Sequence, residues 1–199
     1  MEYKLRDDCF LIGNNCGVGW MYRDVLKKPY DTPFAWNYFN HDDMVRFARL
    51  WDDIDWHAQD WKPHELGSFN AMRQRYDGFF ATRKGFPIEK WWDVSIRATN
   101  GETVTTLLPF MDFREGGDGF PKLERRVERF MGVLEKKKPV FIFMRNCDDK
   151  HWTDEQKDAI KADSRCVLCD YEGDKRNGKW TTWNVVLPSL LEKGIVVEG

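Results

Sequence analysis

PVFIFM, residues 139–144, is an unbroken apolar run that decides the fold class of this chain. A run without polar alternation is typical of a strand buried on both faces, as in parallel sheets. CFLIG at 9–13 and CVLCDY at 166–171 have the same character. Helical patterns lie between these strands. The sequence therefore predicts an α/β fold, a three-layer α/β/α domain with a mixed, mainly parallel sheet.

Helical spacing, capping signals and turn residues predict the remaining elements. Helices are expected at 17–26, 42–51, 121–137, from a Thr153/Gln156 capping box to residue 162, and at 188–193. Asn100-Gly101 predicts one β-hairpin between strands 92–98 and 103–108. Residues 52–80 have no clear period, and 180–186 fit either a strand or a helix.

Composition bounds the class of protein. The chain has 199 residues, enough for one domain over 1–199 with a real core, and a net charge of −2 that argues against a nucleic-acid partner. It has no apolar run of about 18 residues, so no membrane span is expected. The charged N-terminus argues against a signal peptide, and the odd number of cysteines favours free thiols in the cytoplasm.

Cys16 is the first candidate for chemistry. It lies where the first strand is expected to turn into a helix, and helix N-terminal amides stabilise a thiolate. Asn14 or Asn15 could donate an amide hydrogen to an oxyanion beside the sulfur. A thiol nucleophile also needs a base, which no local spacing supplies. From the local pattern alone, a structural cysteine with asparagines capping the turn is favoured.

Several blocks of sequence resemble a known family. NNC (14–16) followed by YRD (22–24), TPFAW (32–36) and LERRVERFMGVLEKKKPVFIFMRN (123–146) are similar to a family of mainly bacterial proteins labelled papain-like cysteine peptidases. A related family, often encoded near exopolysaccharide-biosynthesis genes, shares the opening block. The resemblance implies that Cys16, preceded by Asn15, lies at the site.

The other matching positions imply substrate-binding residues. The family's Pro-Phe-Asp-Trp becomes Pro-Phe-Ala-Trp here, which keeps Trp36 and loses the acid. With the Tyr-Arg pair, the paired helix arginines and the strand-end arginine, the predicted substrate-binding residues are Tyr22, Arg23, Trp36, Arg125, Arg126 and Arg145. Converging arginines would hold phosphate or carboxylate. Ion pairing of the helix arginines with Glu124 and Glu128 is the favoured alternative.

One departure from the family concerns the base. The family has a histidine followed by an aspartate before the long helix, whereas this chain has Met111 followed by Asp112. Because methionine accepts no proton, either another histidine supplies the base or the chain lacks thiol-protease chemistry, and the second is favoured. Asp112 stays among the predicted catalytic residues.

Metal and sugar sites are weaker alternatives. Cys147, His151, Cys166 and Cys169 have the donor types of a zinc site. However, Cys166 and Cys169 should point to opposite faces of a strand, so buried thiols are favoured and no metal or cofactor is expected.

Carboxylates, histidines and tryptophans in the middle of the chain leave further alternatives open. Asp53-x-Asp55 resembles the metal-binding pair of sugar-nucleotide glycosyltransferases, but it follows an amphipathic helix, and a solvated helix end is favoured. His57 and His64 could line a metal or sugar site, although a surface loop is favoured. Aromatic residues on loops would suit sugar stacking; the tryptophans in question are Trp51, Trp56, Trp61, Trp91 and Trp92.

The leading functional hypothesis is a cysteine-centred hydrolase or transferase, with Cys16 as nucleophile and a small molecule, glycan or peptide as substrate. The alternative is a glycan-biosynthesis protein, a transferase or accessory module that binds a sugar phosphate through tryptophans and arginines. A third hypothesis is a non-catalytic binding domain on a degenerate site.

Overall fold

Helices and strands alternate along the chain in the computed structural model, which describes residues 2–67, 91–108, 112, 117–144, 152–169 and 182–199. The elements are β1 (Tyr3–Leu5), β2 (Cys9–Gly13), α1 (Gly17–Trp20) continued by a π-helical turn (Met21–Val25), α2 (His41–Leu50), β3 (His64–Gly67), β4 (Trp91–Arg97), β5 (Thr103–Leu107), α3 (Gly119–Leu134), β6 (Lys138–Met144), α4 (Asp154–Ala162), β7 (Cys166–Cys169), α5 (Thr182–Glu192) and β8 (Val196–Glu198). Short 3₁₀ turns span Trp51–Asp53 and Trp56–Ala58. The predicted α/β class is confirmed.

The apolar runs of the sequence form a parallel sheet in the order β2-β6-β7. Ile12 pairs with Phe141, and Phe141 pairs in turn with Cys166. The central strand is buried at every position from Pro139 to Met144, which explains why no polar residue interrupts it. The strands predicted at 9–13 and 139–144 are confirmed, and the strand predicted from residue 166 is confirmed as far as Cys169.

Each face of the parallel sheet carries its own apolar cluster, because successive side chains of a strand point to opposite faces. Phe10, Phe141 and Phe143 belong to the first cluster, which includes α2 and much of α3. Leu11 and Ile142 belong to the second cluster, which includes α1 and α5. Buried apolar side chains of the described residues therefore lie on both faces of the parallel sheet.

The predicted hairpin forms a separate antiparallel sheet rather than extending the parallel one. Its strands β4 and β5 pair around Asn100-Gly101, where Gly101 has a φ of 88° that favours glycine. Together with β3 they make a three-stranded sheet, and β1 pairs with β8 in another. Two consecutive residues link the parallel sheet to this antiparallel one. Tyr38 N–H donates to the Leu107 carbonyl, and Phe39 N–H donates to the Asn14 carbonyl. A single mixed sheet is thus not what the described residues form.

The helices predicted at 42–51, at 121–137 and after Thr153 are confirmed, with bounds shifted by one to three residues. The capping box is present, since the Thr153 hydroxyl accepts from Gln156 N–H and the Gln156 side chain accepts from Thr153 N–H. Residues 17–26 are helical as predicted, but the turn from Met21 widens to π geometry.

The C-terminal region differs from its prediction. The sequence predicts a short helix over 188–193 that Gly194 ends, and leaves 180–186 open between strand and helix. Instead, one helix runs from Thr182 to Glu192 with Pro188 inside it. Val186, Leu187 and Leu190 are buried in the second cluster, and this packing accounts for the continuous helix. Within the described ranges, no helix combines the length and apolar character that a membrane crossing requires.

Candidate functional site

Cys16 lies directly beyond the carboxyl end of β2. Asn14 N–H still donates to the Ile142 carbonyl at 3.3 Å, so strand pairing continues one residue past the strand. The Cys16 carbonyl then accepts from Trp20 N–H at 3.1 Å, which makes Cys16 the N-cap of α1. The carboxyl edge of a parallel sheet is the usual position of ligand sites in α/β proteins.

Cys16 differs from the other described cysteines in exposure. It is half-buried, whereas Cys9, Cys166 and Cys169 are buried. Burial raises the pKa of the Cys9 and Cys169 thiols to about 11, and that of Cys166 to about 12. These three thiols are protonated at neutral pH and are poor nucleophiles, because the thiolate is the reactive form.

Asn14 has its amide engaged within the sheet. Its Nδ2 donates to the Met144 carbonyl at 2.9 Å, and its Oδ1 accepts from Met144 N–H at 2.8 Å. The side chain is fully buried and takes the place of a strand residue beside β6. Of the two predicted oxyanion donors, Asn14 therefore already has its amide group hydrogen-bonded to β6.

Asn15 leaves its donor group available among the described residues. Its Oδ1 accepts from Gly17 N–H at 2.8 Å, which caps the turn into α1. Its Nδ2 has no hydrogen bond to another residue in the described part of the chain. The two asparagines of the NNC block thus have different tasks, one in the sheet and one at the Cys16 turn.

Partly exposed aromatic rings cluster around Trp20, which follows Cys16 at helical spacing in α1. The Trp20 and Trp36 ring centroids are 5.5 Å apart, and Trp36 is 5.7 Å from Tyr30. The Arg23 guanidinium lies 4.0 Å above the Trp20 ring and bonds to Asp24. We call Trp20, Arg23, Tyr30 and Trp36 the aromatic surface.

Close packing holds this surface against α1. A Cβ built on Gly19 would lie 2.3 Å from the Trp36 indole, so the ring rests directly on the glycine backbone. Only a residue without a side chain allows that approach. Arg23 and Trp36, both predicted to bind substrate, are thereby brought together next to the Cys16 turn.

Tyr22 lies in the interior beneath the aromatic surface. It is fully buried, its hydroxyl accepts from Leu11 N–H at 2.9 Å, and burial raises its pKa. Its ring meets Tyr30 edge-on at 6.0 Å. The predicted substrate-binding Tyr22 therefore supports the surface from below and is inaccessible to a ligand in this structure.

The two adjacent helix arginines diverge. Arg126 is buried, bonds to Asp112 at 2.9 Å, and lies 5.6 Å from the Tyr30 ring centroid. Arg125 is exposed and lies 3.8 Å from Asp118. Both pair with aspartates outside the helix rather than with Glu124 or Glu128. Arg126 belongs with the aromatic surface, and Arg125 faces solvent.

Asp112 is part of an ion cluster. It accepts from Lys122 as well as Arg126, each at 2.9 Å. These two bonds tie Asp112 to α3, and no histidine bonds to it among the residues that the structure describes. The predicted residues Met111, Arg145, Cys147 and His151 lie outside the described residues.

His41 is the described histidine nearest to the Cys16 edge along the chain. It begins α2, two residues after Phe39, whose N–H bonds to the Asn14 carbonyl at 3.0 Å. Its ring stacks on Trp152 at 3.7 Å, and Trp152 meets Phe143 of β6 at 5.5 Å. His57 and His64 are exposed and belong to the region of β3 and the second 3₁₀ turn.

Of the five tryptophans considered for sugar stacking, four belong to the first cluster or pack against it. Trp51, Trp56 and Trp91 are buried, and Trp61 and Trp92 are partly buried against that cluster. Residues 52–67 lack a clear period because 3₁₀ turns and bulky rings, rather than a long helix or strand, fill this space. Among the described residues, the rings of the aromatic surface stay partly exposed, as does Phe120 of α3.

The described residues that were considered as metal ligands have structural roles instead. The Asp55 carboxylate accepts from His57 N–H at 3.1 Å and Ala58 N–H at 3.3 Å, so it caps a 3₁₀ turn. Cys166 and Cys169 belong to opposite apolar clusters, as their spacing predicted. In the described part of the chain, no three His, Cys, Asp or Glu residues converge as a metal site would need.

The sequence interpretation missed two residues of the aromatic surface, Trp20 and Tyr30. Trp20 follows Cys16 at helical spacing, so the periodicity could have found it. Tyr30 carries no such signal, because its position depends on how the loop after α1 folds back. Comparison with protein-family models, curated proteins and solved structures finds no match to this chain.

Proposed function

We propose that the chain is a cysteine-centred hydrolase or transferase with Cys16 as the nucleophile. The observation that carries the proposal is the position of Cys16, the one described cysteine that is not buried, at the carboxyl end of the parallel sheet. The resemblance to papain-like peptidases points to the same residue. With it we propose a cytoplasmic, three-layer domain, supported by free thiols and by apolar clusters on both faces of the sheet.

The proposed chemistry is acyl transfer. The Cys16 sulfur attacks a carbonyl carbon and forms a C–S bond, and the leaving group departs with a proton. Water or a second acceptor then takes the acyl group and releases the thiol. The Asn15 Nδ2 is the proposed oxyanion donor, since its Oδ1 is already fixed by Gly17 N–H at 2.8 Å.

His41 is the proposed base. It starts α2 close to the end of β2, and its stacking on Trp152 at 3.7 Å gives the ring a defined orientation. The residue matching the family's histidine is Met111, so a base has to come from another part of the chain. A base in hydrogen-bond reach of the thiol would keep Cys16 reactive below the pKa of a free thiol.

The test is alkylation of the folded protein by iodoacetamide from pH 5 to 9, followed by peptide mass spectrometry. We expect Cys16 to react faster than glutathione at pH 6, and His41→Gln to move its pH profile toward that of a free thiol. Cys16→Ser is the control for site assignment. A Cys16 rate that follows glutathione at every pH would mean that the thiol is exposed without being activated, and would reject the proposal.

A second candidate function is binding of a sugar phosphate. It is favoured by the aromatic surface, where Arg23 lies 4.0 Å above Trp20, because indole faces suit sugar rings and guanidinium suits phosphate. A panel of sugar nucleotides should then raise the melting temperature of the wild type but not of Trp36→Ala. No shift with any of them would remove this candidate.

A further inference from the structure

Two runs of lysine from distant parts of the chain meet at the amino end of the parallel sheet. Lys27 and Lys28 follow the π-helical turn, and residues 136–138 lead from α3 into β6. The runs meet at Asp31, whose Oδ2 lies 3.5 Å from the Lys28 Nζ and 3.0 Å from the Lys137 Nζ. Lys137 and Asp31 are 106 positions apart in the sequence. We call this group the lysine surface; its members are Lys27, Lys28, Lys136, Lys137 and Lys138.

The positive charge of the lysine surface exceeds the negative charge around it. Two of its ammonium groups share the one carboxylate of Asp31, and the other three lysines are exposed and form no ion pair with any described residue. The two helix ends at this surface each add about half a negative charge, so together with Asp31 they balance about two of the five lysines. Asp8 is already paired with Arg6. The surface therefore stays positive even when the exposed Asp7 and Glu135 are counted.

Lys27 holds a backbone conformation that favours glycine. Its φ is 48°, the one positive value that a residue other than glycine has in the described part of the chain. It directly follows Leu26, the C-cap of the π-helical turn, and helices usually place glycine at that position because a Cβ is strained there. The turn geometry alone thus favours glycine at residue 27. What a lysine adds at this position is its charge.

The aromatic surface adjoins the lysine surface at residues 30 and 31. Tyr30 is a member of the aromatic surface, its carbonyl accepts from Arg129 Nε at 3.0 Å, and the next residue is the carboxylate that two lysines share. Trp20, Tyr30 and Trp36 are all partly exposed. Tryptophan and tyrosine rings favour the headgroup level of a bilayer, and clustered lysines attract anionic headgroups. Because an ammonium is a point charge without a fixed fork, a group of lysines suits a diffuse layer of headgroups better than one compact anion.

We propose that the lysine surface binds the headgroups of an anionic lipid bilayer, with the adjoining aromatic rings at headgroup level. The association is peripheral and needs no membrane-spanning helix. It goes beyond the proposed function, because it uses none of the residues assigned to acyl transfer and does not depend on the reactivity of Cys16. Anionic lipids are concentrated in cytoplasmic leaflets, which fits the proposed cytoplasmic location.

Cosedimentation with lipid vesicles tests the proposal. Vesicles of phosphatidylcholine with about 30% phosphatidylserine should bind the protein at least about tenfold more tightly than phosphatidylcholine alone, and about 0.5 M salt should abolish the difference by screening. Lys27→Gln combined with Lys136→Gln should weaken binding about 25-fold, at roughly fivefold per lysine. The matched control is Lys62→Gln with Arg97→Gln, which removes two exposed cations beside the antiparallel sheet and should change binding by less than about twofold.

Lys27→Gly separates the charge of the lysine from its effect on folding. Glycine relieves the positive φ, so the melting temperature should rise while binding to the phosphatidylserine vesicles weakens about fivefold. A lysine with a purely structural role would lower stability when replaced and leave vesicle binding unchanged. This variant also keeps the test readable if the double variant unfolds.

Three outcomes would overturn the proposal. The first is equal affinity for vesicles with and without phosphatidylserine. The second is an equal loss of binding in the lysine double variant and in its control, which would mean that only the total charge of the protein matters. The third is tighter binding to a single-stranded RNA oligonucleotide than to the anionic vesicles, which would assign the lysine surface to nucleic acid.

Discussion

The side chain of Asn14 bonds to both the N–H and the carbonyl of Met144, at 2.8 and 2.9 Å. This pair joins the ends of β2 and β6 through a side chain where the main chain of β2 has already begun to turn. It fixes the point from which the chain enters α1, and therefore the position of Cys16. Asn14, which the sequence predicts as an oxyanion donor beside Cys16, is thus a structural part of the sheet edge.

Asn14→Leu should destabilise the protein, whereas Asn37→Leu should not. The first leaves the Met144 N–H and carbonyl buried without partners, which should lower the free energy of unfolding by about 3 kcal/mol. The second removes a side-chain amide that has no partners among the described residues, so the free energy of unfolding should be unchanged or higher. Urea unfolding of both variants checks the pair. Equal destabilisation would mean that Asn37 has an internal partner after all.

Gly19→Ala should displace Trp36. The new Cβ would lie 2.3 Å from the indole, so we expect a loss of about 1–3 kcal/mol and a change in tryptophan fluorescence. Gly132→Ala in α3 is the matched control, because nothing lies within 4 Å of its Cβ and alanine favours a helix by about 0.5–1 kcal/mol. A stable Gly19→Ala protein with unchanged fluorescence would contradict the packing of the aromatic surface.

Asp112→Asn should destabilise the protein more than Asp118→Asn. Both aspartates bond to Lys122, at 2.9 and 2.8 Å, but only Asp112 also holds the buried Arg126. Removing its charge leaves that guanidinium without its carboxylate and should cost about 2 kcal/mol. Asp118 is exposed, and its loss should change stability by less than about 0.5 kcal/mol. Urea unfolding at low and high salt tests the difference.

Stability should fall at alkaline pH because three buried thiols resist ionisation. Their folded pKa values, about 11 for Cys9 and Cys169 and about 12 for Cys166, lie above the ordinary thiol pKa of 9.0. Since the unfolded chain ionises first, the stability is fully present below pH 9 and is lost as the pH rises through the folded values.

The measurement is the free energy of unfolding from pH 7 to 11, compared between wild type and Cys166→Ala. The variant should show a shallower fall above pH 9, because one of the three thiols no longer titrates. Identical slopes would indicate that Cys166 ionises as readily in the folded protein as in the unfolded chain.

Local signals in the sequence were enough for most elements. The apolar runs at 9–13 and 139–144 are strands because a continuous hydrophobic stretch needs cover on both faces, wherever its partners lie. Asn100-Gly101 and the Thr153 capping box likewise depend on neighbours within a few residues. The alternation of Cys166 and Cys169 between two faces follows from strand geometry alone.

Long-range placement decided the candidate site. Asn14, Asn15 and Asn37 are the same residue type, yet one is satisfied by Met144, 130 residues away, one caps a local turn, and one has no partner. The aromatic surface depends on the loop after α1 folding back so that Trp36 reaches Gly19. The sequence by itself determined which segments become strands and helices, since these depend on local periodicity and burial. Only the tertiary structure decided which polar groups remain for a ligand, because hydrogen bonds are satisfied by whatever distant backbone the fold brings close.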